Sequence, residues 1–227
     1  MHKRFRFYQV IAIFFLLQFS ACCKDNEENL SSTITDIDGN SYQAIKIGNK
    51  WWMAENLKTT KYNDGIAIPN VTDNTQWEGL TTGAYCWYNN DGSTYKDQYG
   101  ALYNWHAISS KLCPIGWHVP ADVEWKILEI ELGMTPSDAD SCDNRGTDQG
   151  LQLKVNGTSG FNGELAGARD VNDGFIHFSE YGYFWTSTTS VENTTWAYDR
   201  ILSNTNSLVR RYPNDKKDGF SIRCVKD

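Results

Sequence analysis

Residues 113–125 read CPIGWHVPADVEW and set a cysteine, a histidine and a glutamate within a dozen positions. Either the stretch is an active site or it is a staple, and the fold turns on which. A thiol with an imidazole makes a nucleophile and its base only when the two meet in space and the thiol ionises easily, which adjacency in sequence does not supply. Pro114, Gly116 and Pro120 stiffen the connection, and Trp117 and Val119 are core-type residues. The segment ADVEWKILEIELG (121–133) then follows. Val123, Ile127 and Ile130 recur at helical spacing on one side, Trp125, Leu128 and Leu132 lie beside them, and Gly133 is a left-handed stop. The bland assignment is a rigid turn entering a helix.

Upstream, YGALYNWHAISSKL (99–112) carries Leu102, Trp105, Ile108 and Leu112 at spacings of three and four, which predicts a helix over 99–112. Residues 41–57 alternate around Gly48-Asn49 and predict a hairpin, and GAYCWY (83–88) predicts a short strand. The span 58–98 otherwise looks irregular. Downstream, LQLKV (151–155), FIHFSEYGYFWTSTT (175–189), TWAYDRILS (195–203), SLVRRYP (207–213) and FSIRCVKD (220–227) all look extended, with Gly/Asn/Asp turns between them.

The amino end speaks to compartment. Lys3, Arg4 and Arg6 precede the uncharged run VIAIFFLLQF (10–19), which ends at Ser20-Ala21. That is the pattern of a secretory signal over 1–21, too short to span a bilayer. LQFSAC resembles the lipobox of bacterial lipoproteins, which makes Cys22 the acylated residue, with Phe19 where that family usually has Leu. Residues 22–33 are polar and acidic and read as a tether. Their lysine and acidic cluster resembles the export signal of surface-exposed lipoproteins of Bacteroidetes-like bacteria. The expected location is therefore the outer membrane, facing outward, with the membrane as a partner through the lipid.

Removing residues 1–21 takes three of the 21 basic side chains and leaves 18 against 28 acidic, a formal charge of −10. Such a surface repels polyphosphate, so nucleic acid is not an expected partner. An exported chain favours disulfides, and Cys86, Cys113, Cys142 and Cys224 allow three full pairings. His2, His106, His118 and His177 show no metal-ligand spacing. No cofactor is expected. Calcium is the candidate weighed, at Asp170 and Asp173 in DVNDGF (170–175) and at NNDGSTYKD (89–97), neither in EF-hand register. The chain carries no nucleophile elbow, P-loop or dinucleotide fingerprint.

Aromatic residues are the remaining chemical feature, with Trp alone occurring nine times. On a strand, Tyr183 and Trp185 share one face and Phe184 takes the other. A face left exposed beside Asn, Asp and Arg would stack on sugar rings. The candidate ligand-binding residues are Tyr181, Tyr183, Trp196 and Arg210.

Taken together, YGALYNWHAI, LCPIGWHVPADVEW, GYFWTSTT and KKDGFSIRCVKD resemble, in order and spacing, the Fibrobacter succinogenes major paralogous domain, from about Ile34 to Asp227. HVPADVEW followed by GFSIRCVKD is more distantly similar to the formylglycine-generating, sulfatase-modifying family. That similarity implies an α+β fold, a C-type-lectin-like variant of one loop-rich domain over 34–227, two helices packed on a twisted, mostly antiparallel sheet. It also implies a bridge from Cys113 to Cys224, which leaves Cys86 with Cys142. The oxidase activity is not carried over, because the cysteine pair it uses has only Cys224 here. Ala121 stands where relatives carry Ser or Thr as the helix cap, although Glu124 keeps the other half of the capping box. The expected function is a non-enzymatic, lipid-anchored surface module binding carbohydrate. The alternatives are an envelope structural or protein-interaction module and a glycan-active enzyme using acidic residues.

Overall fold

The computed structural model describes residues 32–227; the signal, Cys22 and nearly all of the tether lie outside the described residues. Fourteen strands run in chain order. They are β1 (Ser32–Thr35), β2 (Ser41–Ile47), β3 (Lys50–Met53), β4 (Tyr85–Cys86), β5 (Leu102–Asn104), β6 (Trp117–His118) and β7 (Asp143–Arg145). Then come β8 (Ala168–Asp170), β9 (Gly174–Ile176), β10 (Tyr181–Thr189), β11 (Trp196–Ser203), β12 (Val209–Asp215), β13 (Gly219–Phe220) and β14 (Val225–Lys226). The helices are short: α1 (Asn74–Glu78), α2 (Gly92–Tyr99), α3 (Asp122–Glu131), α4 (Pro136–Asp140) and α5 (Gln149–Leu153).

The strands form three antiparallel sheets, in the orders β1-β2-β3-β14-β6, β10-β11-β12-β7 and β4-β5-β13-β8-β9. This overturns the expectation of two helices on one twisted sheet in a C-type-lectin-like α+β fold. The described residues are mostly β, and α3 is the longest helix at 10 residues. The helix expected over 99–112 does not form. Gly100, at φ +74°, ends α2 at Tyr99, the first residue of that span. Leu102 then pairs with Cys86, and Tyr103 with both Tyr85 and Phe220. The Asn104 side chain accepts from Ala84 N and from Ala107 N, which turns the chain into a single 3₁₀ turn at Trp105–Ala107. Helical spacing here was a by-product of a strand followed by a tight turn.

Two further corrections have equally local causes. Residues 88–98 carry α2, because the Asp91 carboxylate caps it by accepting from Ser93 N and Thr94 N. Residues 149–153 are helical, and Gly150 packs so close to the Leu208 carbonyl that no larger residue fits. The β2–β3 hairpin around Gly48 forms as its turn residues predict.

CPIGWHVPADVEW proves to be a staple. Cys113 is disulfide-bonded to Cys224, and Trp117 and His118 pair with Lys226 and Val225. β14 also pairs with β3, through Val225 and Trp52, so the first and last parts of the domain close in one sheet. Cys86 and Cys142 do not pair: Cys86 is buried and free, and Cys142 is exposed and free. They belong to different places, Cys86 inside the cluster of Trp77, Tyr88 and Leu102, and Cys142 at the surface beside Arg211.

Strand β10 is buried on both faces over its middle. Tyr183 and Trp185 enter one core cluster with Tyr103, Ile201 and Phe220, while Phe184 enters another with Trp52, Trp125 and Phe161. Helix α3 covers that second cluster, but not with the whole apolar surface its sequence offers. It buries Asp122, Trp125, Leu128 and Glu129 and leaves Val123, Ile127 and Ile130 exposed. The buried carboxylates explain the choice. Glu129 meets Arg200 at 2.6 Å and Arg145 at 2.8 Å, and Asp122 meets Arg200 and Arg211, each at 2.8 Å. An ionic cluster thus fastens α3 to β7, β11 and β12.

Ala121 is the N-cap of α3 and lends no side-chain acceptor, while its own N–H donates to Glu124 Oε2 at 3.0 Å. The Thr188 hydroxyl on β10 accepts from Asp122 N, supplying one acceptor from outside the helix. The second and third helical N–H groups still lack a side-chain cap, so Ala121→Thr is expected to stabilise the domain by about 1 kcal/mol. Thermal unfolding checks this; an unchanged or lower midpoint contradicts it.

Candidate functional site

The register of β10, β11 and β12 assembles the site. Ile201 lies opposite both Tyr183 and Arg210, and Asp199 lies opposite both Trp185 and Tyr212. With side chains alternating along each strand, Arg210, Tyr212 and Asn214 share the face of Asp199 and Ile201. The β8–β9 hairpin, with Asp218 and Phe220, forms the opposite wall. Between them lies a depression of about 190 Å³ that includes Tyr183, His177 and Arg210. A second, of about 250 Å³, includes Trp196, Asn172 and Asp215. Asp170, Tyr212, Asn214 and Asp218 border both, so the two depressions form one groove with an acidic middle.

The carboxylates have different duties. Asp170 Oδ1 accepts from Asn172 N at 2.7 Å and Asp173 N at 2.9 Å, which shapes the β8–β9 turn. Asp173 is exposed on that turn. The two calcium candidates are thus turn-formers in the structure, and among the described residues no three His, Cys, Asp or Glu side chains gather as a metal site. Asp218 Oδ1 accepts from Val171 N and holds the same turn from the other side. Burial pushes its carboxyl up to about 7, with Asp170 and Asp215 adding repulsion.

Asp199 is fully buried, and burial holds its carboxyl well above the usual range. Asn214 donates to Oδ2 at 2.6 Å, but Oδ1 has no hydrogen-bond partner among the described residues. A buried carboxyl with an orphaned oxygen next to a groove is costly for stability and characteristic of functional sites.

Asp218 makes stability pH-dependent. The unfolded chain ionises this carboxyl near pH 4 and the folded chain near pH 7, so the folded state holds the extra proton in between. Stability therefore falls as the pH rises through that window. Asp218→Asn keeps an acceptor for Val171 N and should stabilise the domain at pH 8 by on the order of 2 kcal/mol, with no gain at pH 4. Urea titrations at the two pH values check it, and an equal effect at both would contradict the shift.

The aromatic candidates separate. Tyr183 borders the first depression but is buried, with a ring face stacked against Phe220 at 4.8 Å. Its hydroxyl bonds His177 Nδ1 at 2.7 Å. Tyr181 borders neither depression and packs edge-on against His177. Arg210 belongs to the first depression, its guanidinium 4.2 Å from the Tyr212 ring, and Trp196 belongs to the second, half-buried. The structure therefore gathers Tyr183, Arg210 and Trp196 along one groove and leaves Tyr181 beside it.

Sequence reading missed Tyr212, Asn214, Asp218 and Asp199. The alternation Arg210, Tyr212, Asn214 within VRRYPND was a usable signal, since a period of two puts these on one face. Asp218 had none, because it comes from the β12–β13 turn.

Two other places deserve comparison with the groove. The thiol of CPIGWHVPADVEW is consumed by its disulfide. His118 is instead held between Asp227 at 2.6 Å and Glu124 at 2.9 Å. A larger cavity, about 370 Å³, opens between Tyr99, Leu151, Lys154, Val155 and Glu164. Its lysine is already spent on the carbonyls of Ser203 and Asn206, and two of its apolar residues, Leu151 and Val155, lie open to solvent. The groove holds the denser set of polar groups, and its Asn214 bonds the buried Asp199.

The architecture and groove define a disulfide-closed, mostly β scaffold with an aromatic and acidic surface cleft. The family model described as the Fibrobacter succinogenes major domain matches residues 45–226, and the chain belongs to that family. Comparison with curated proteins returns no match, and comparison with solved structures returns none, so the similarity to the sulfatase-modifying family gains no support.

Proposed function

We propose that this chain is a lipid-anchored, outward-facing outer-membrane protein that binds carbohydrate in the groove between β10–β12 and the β8–β9 hairpin. The observation that carries the reading is the composition of that groove. Planar polar groups (Asp170, Asn214, Asp218 and Arg210) stand around the Tyr212 ring, with Trp196 at one end and Tyr183 at the other. Sugars offer paired hydroxyls to carboxylate, amide and guanidinium groups and apolar C–H faces to aromatic rings. Two adjoining depressions suit more than one sugar unit.

Retention of the purified protein on immobilised polysaccharides tests this. Trp196→Ala and Arg210→Ala should each weaken retention about three- to tenfold, matching the worth of one aromatic or charged contact. Leu151→Ala, in the separate cavity, should leave it unchanged. No retention on any polysaccharide would refute the carbohydrate reading and leave an envelope interaction module in its place.

One observation favours a second reading, a glycan-active enzyme. Asp218, raised to about 7, stands beside Asp170 as an acid beside a carboxylate. Release of reducing ends from a retained polysaccharide, lost in Asp218→Asn, would establish it.

A further inference from the structure

Exposed isoleucines gather where the chain enters the domain. A depression of about 220 Å³ is bounded by Ile34, Ile37, Asn63, Pro114 and Ile115. Ile37 is 51% exposed and Ile115 is 85% exposed. Ile66, 61% exposed, belongs to the same surface: its carbonyl accepts from Tyr62 N, closing the turn whose Asn63 side chain donates to Cys113 O. Exposed aliphatic residues scattered singly need no explanation, but Ile37 and Ile115 border one depression with Ile34, and Ile66 lies on the turn next to it, which makes a patch. Two acids near it are paired, Asp38 with Lys61 at 2.9 Å and Asp64 with Lys111 at 2.7 Å, while Asp36 in its wall is buried and accepts from Asp38 N, Asn40 and the Tyr42 hydroxyl.

The position of this patch in the chain says what covers it. Ile34 lies on β1, the outermost strand of its sheet and the first described element. Only nine residues, 23–31, separate the start of that strand from the point of the proposed lipid anchor at Cys22. Even at full extension a chain of that length reaches no more than about 35 Å. A tether of that length holds its domain at an effective concentration of about millimolar, so a contact too weak to bind a membrane unaided is populated.

We propose that the Ile37–Ile66–Ile115 patch rests in the interfacial layer of the membrane that carries the Cys22 lipid. The inference rests on the lipid-anchor reading above. The patch offers no free cationic cluster, and Asp25, Glu27 and Glu28 in the tether disfavour an anionic surface. The surface it fits is therefore the boundary between headgroup and hydrocarbon of zwitterionic lipid, where amphipathic elements bury their apolar side.

The test uses the acylated full chain in phosphatidylcholine vesicles with and without brominated acyl chains. A bimane probe is placed at Ile37→Cys or Ile66→Cys in a Cys23→Ser, Cys142→Ser background. Val191→Cys, at a position 87% exposed between β10 and β11, serves as the control. Bromine should quench the probes at 37 and 66 by about twofold or more and leave the probe at 191 unchanged, as expected for groups held in the interface. A chain that floats with the vesicles while the probes at 37 and 66 stay unquenched overturns the membrane contact alone, whether or not the patch then pairs two copies. Absence of acyl mass on Cys22, with no flotation, overturns the anchor and the contact with it.

Discussion

Glu129→Gln should destabilise the domain by about 3–5 kcal/mol, the cost of removing one partner from a buried ion pair. Glu129 is fully buried on α3, with Arg200 at 2.6 Å on one oxygen and Arg145 at 2.8 Å on the other. The amide keeps the volume but removes the charge, leaving two guanidinium groups facing each other in a dry interior. Asp122 partly neutralises Arg200 but is shared with Arg211. Burial pushes the Asp122 carboxyl up, yet the Arg211 and Arg200 guanidinium groups outweigh it and hold it well below the usual carboxylate range. Urea unfolding at pH 7 checks the prediction, with Val123→Ala on the exposed side of the same helix as a control expected within about 0.5 kcal/mol of wild type. Equal effects of the two changes would mean that the cluster does not hold α3 in place.

Loss of the Cys113–Cys224 bridge should cost about 4–5 kcal/mol in the chain-entropy account, because it closes a long loop. The two cysteines are 111 residues apart in sequence. Cys113→Ser with Cys224→Ser removes the bridge without leaving a stray thiol, and both sites are buried, so lost packing adds to the effect. The measurement is the urea midpoint of the double variant against that of the oxidised protein. A shift worth less than about 1 kcal/mol would show that pairing of β14 with β3 and β6 closes the domain unaided. Cys86 should not compensate by forming a new bridge, since burial pushes its thiol up to about 12 and keeps it protonated.

Much of the C-terminal half was legible in the sequence because its strands are long and rich in aromatic and β-branched residues. β10 and β11 lie within the segments read as extended, β12 runs two residues beyond its segment to Asp215, and Gly133, at φ +96°, follows α3 as its stop signal. What failed was short-range. Leu102, Trp105, Ile108 and Leu112 carry a helical stripe, yet Gly100 and the side-chain bonds of Asn104 convert the span into a strand and one turn. No local pattern distinguishes those outcomes; the deciding partners, Tyr85 and Phe220, are far away in sequence. The expected sheet and its two helices gave way to three sheets for the same reason.

The site was half legible. Arg210 and Trp196 could be picked out as polar and aromatic residues on extended segments. That Tyr183 would lose a ring face to Phe220 and its hydroxyl to His177 follows from how two sheets meet, which no single strand encodes. The same is true of Asp199, whose burial and orphaned oxygen depend on Tyr212 and Asn214 from the next strand.

The central claim is that the groove shared by Asp170, Tyr212, Asn214 and Asp218 is where ligand binds. A crystal structure with an oligosaccharide from a retained polysaccharide tests it most directly. The account predicts sugar density spanning both depressions, with Trp196 against a sugar face and Arg210 or Asp218 on its hydroxyls. Sugar seated instead in the Tyr99–Leu151–Glu164 cavity, with this groove empty, would contradict it.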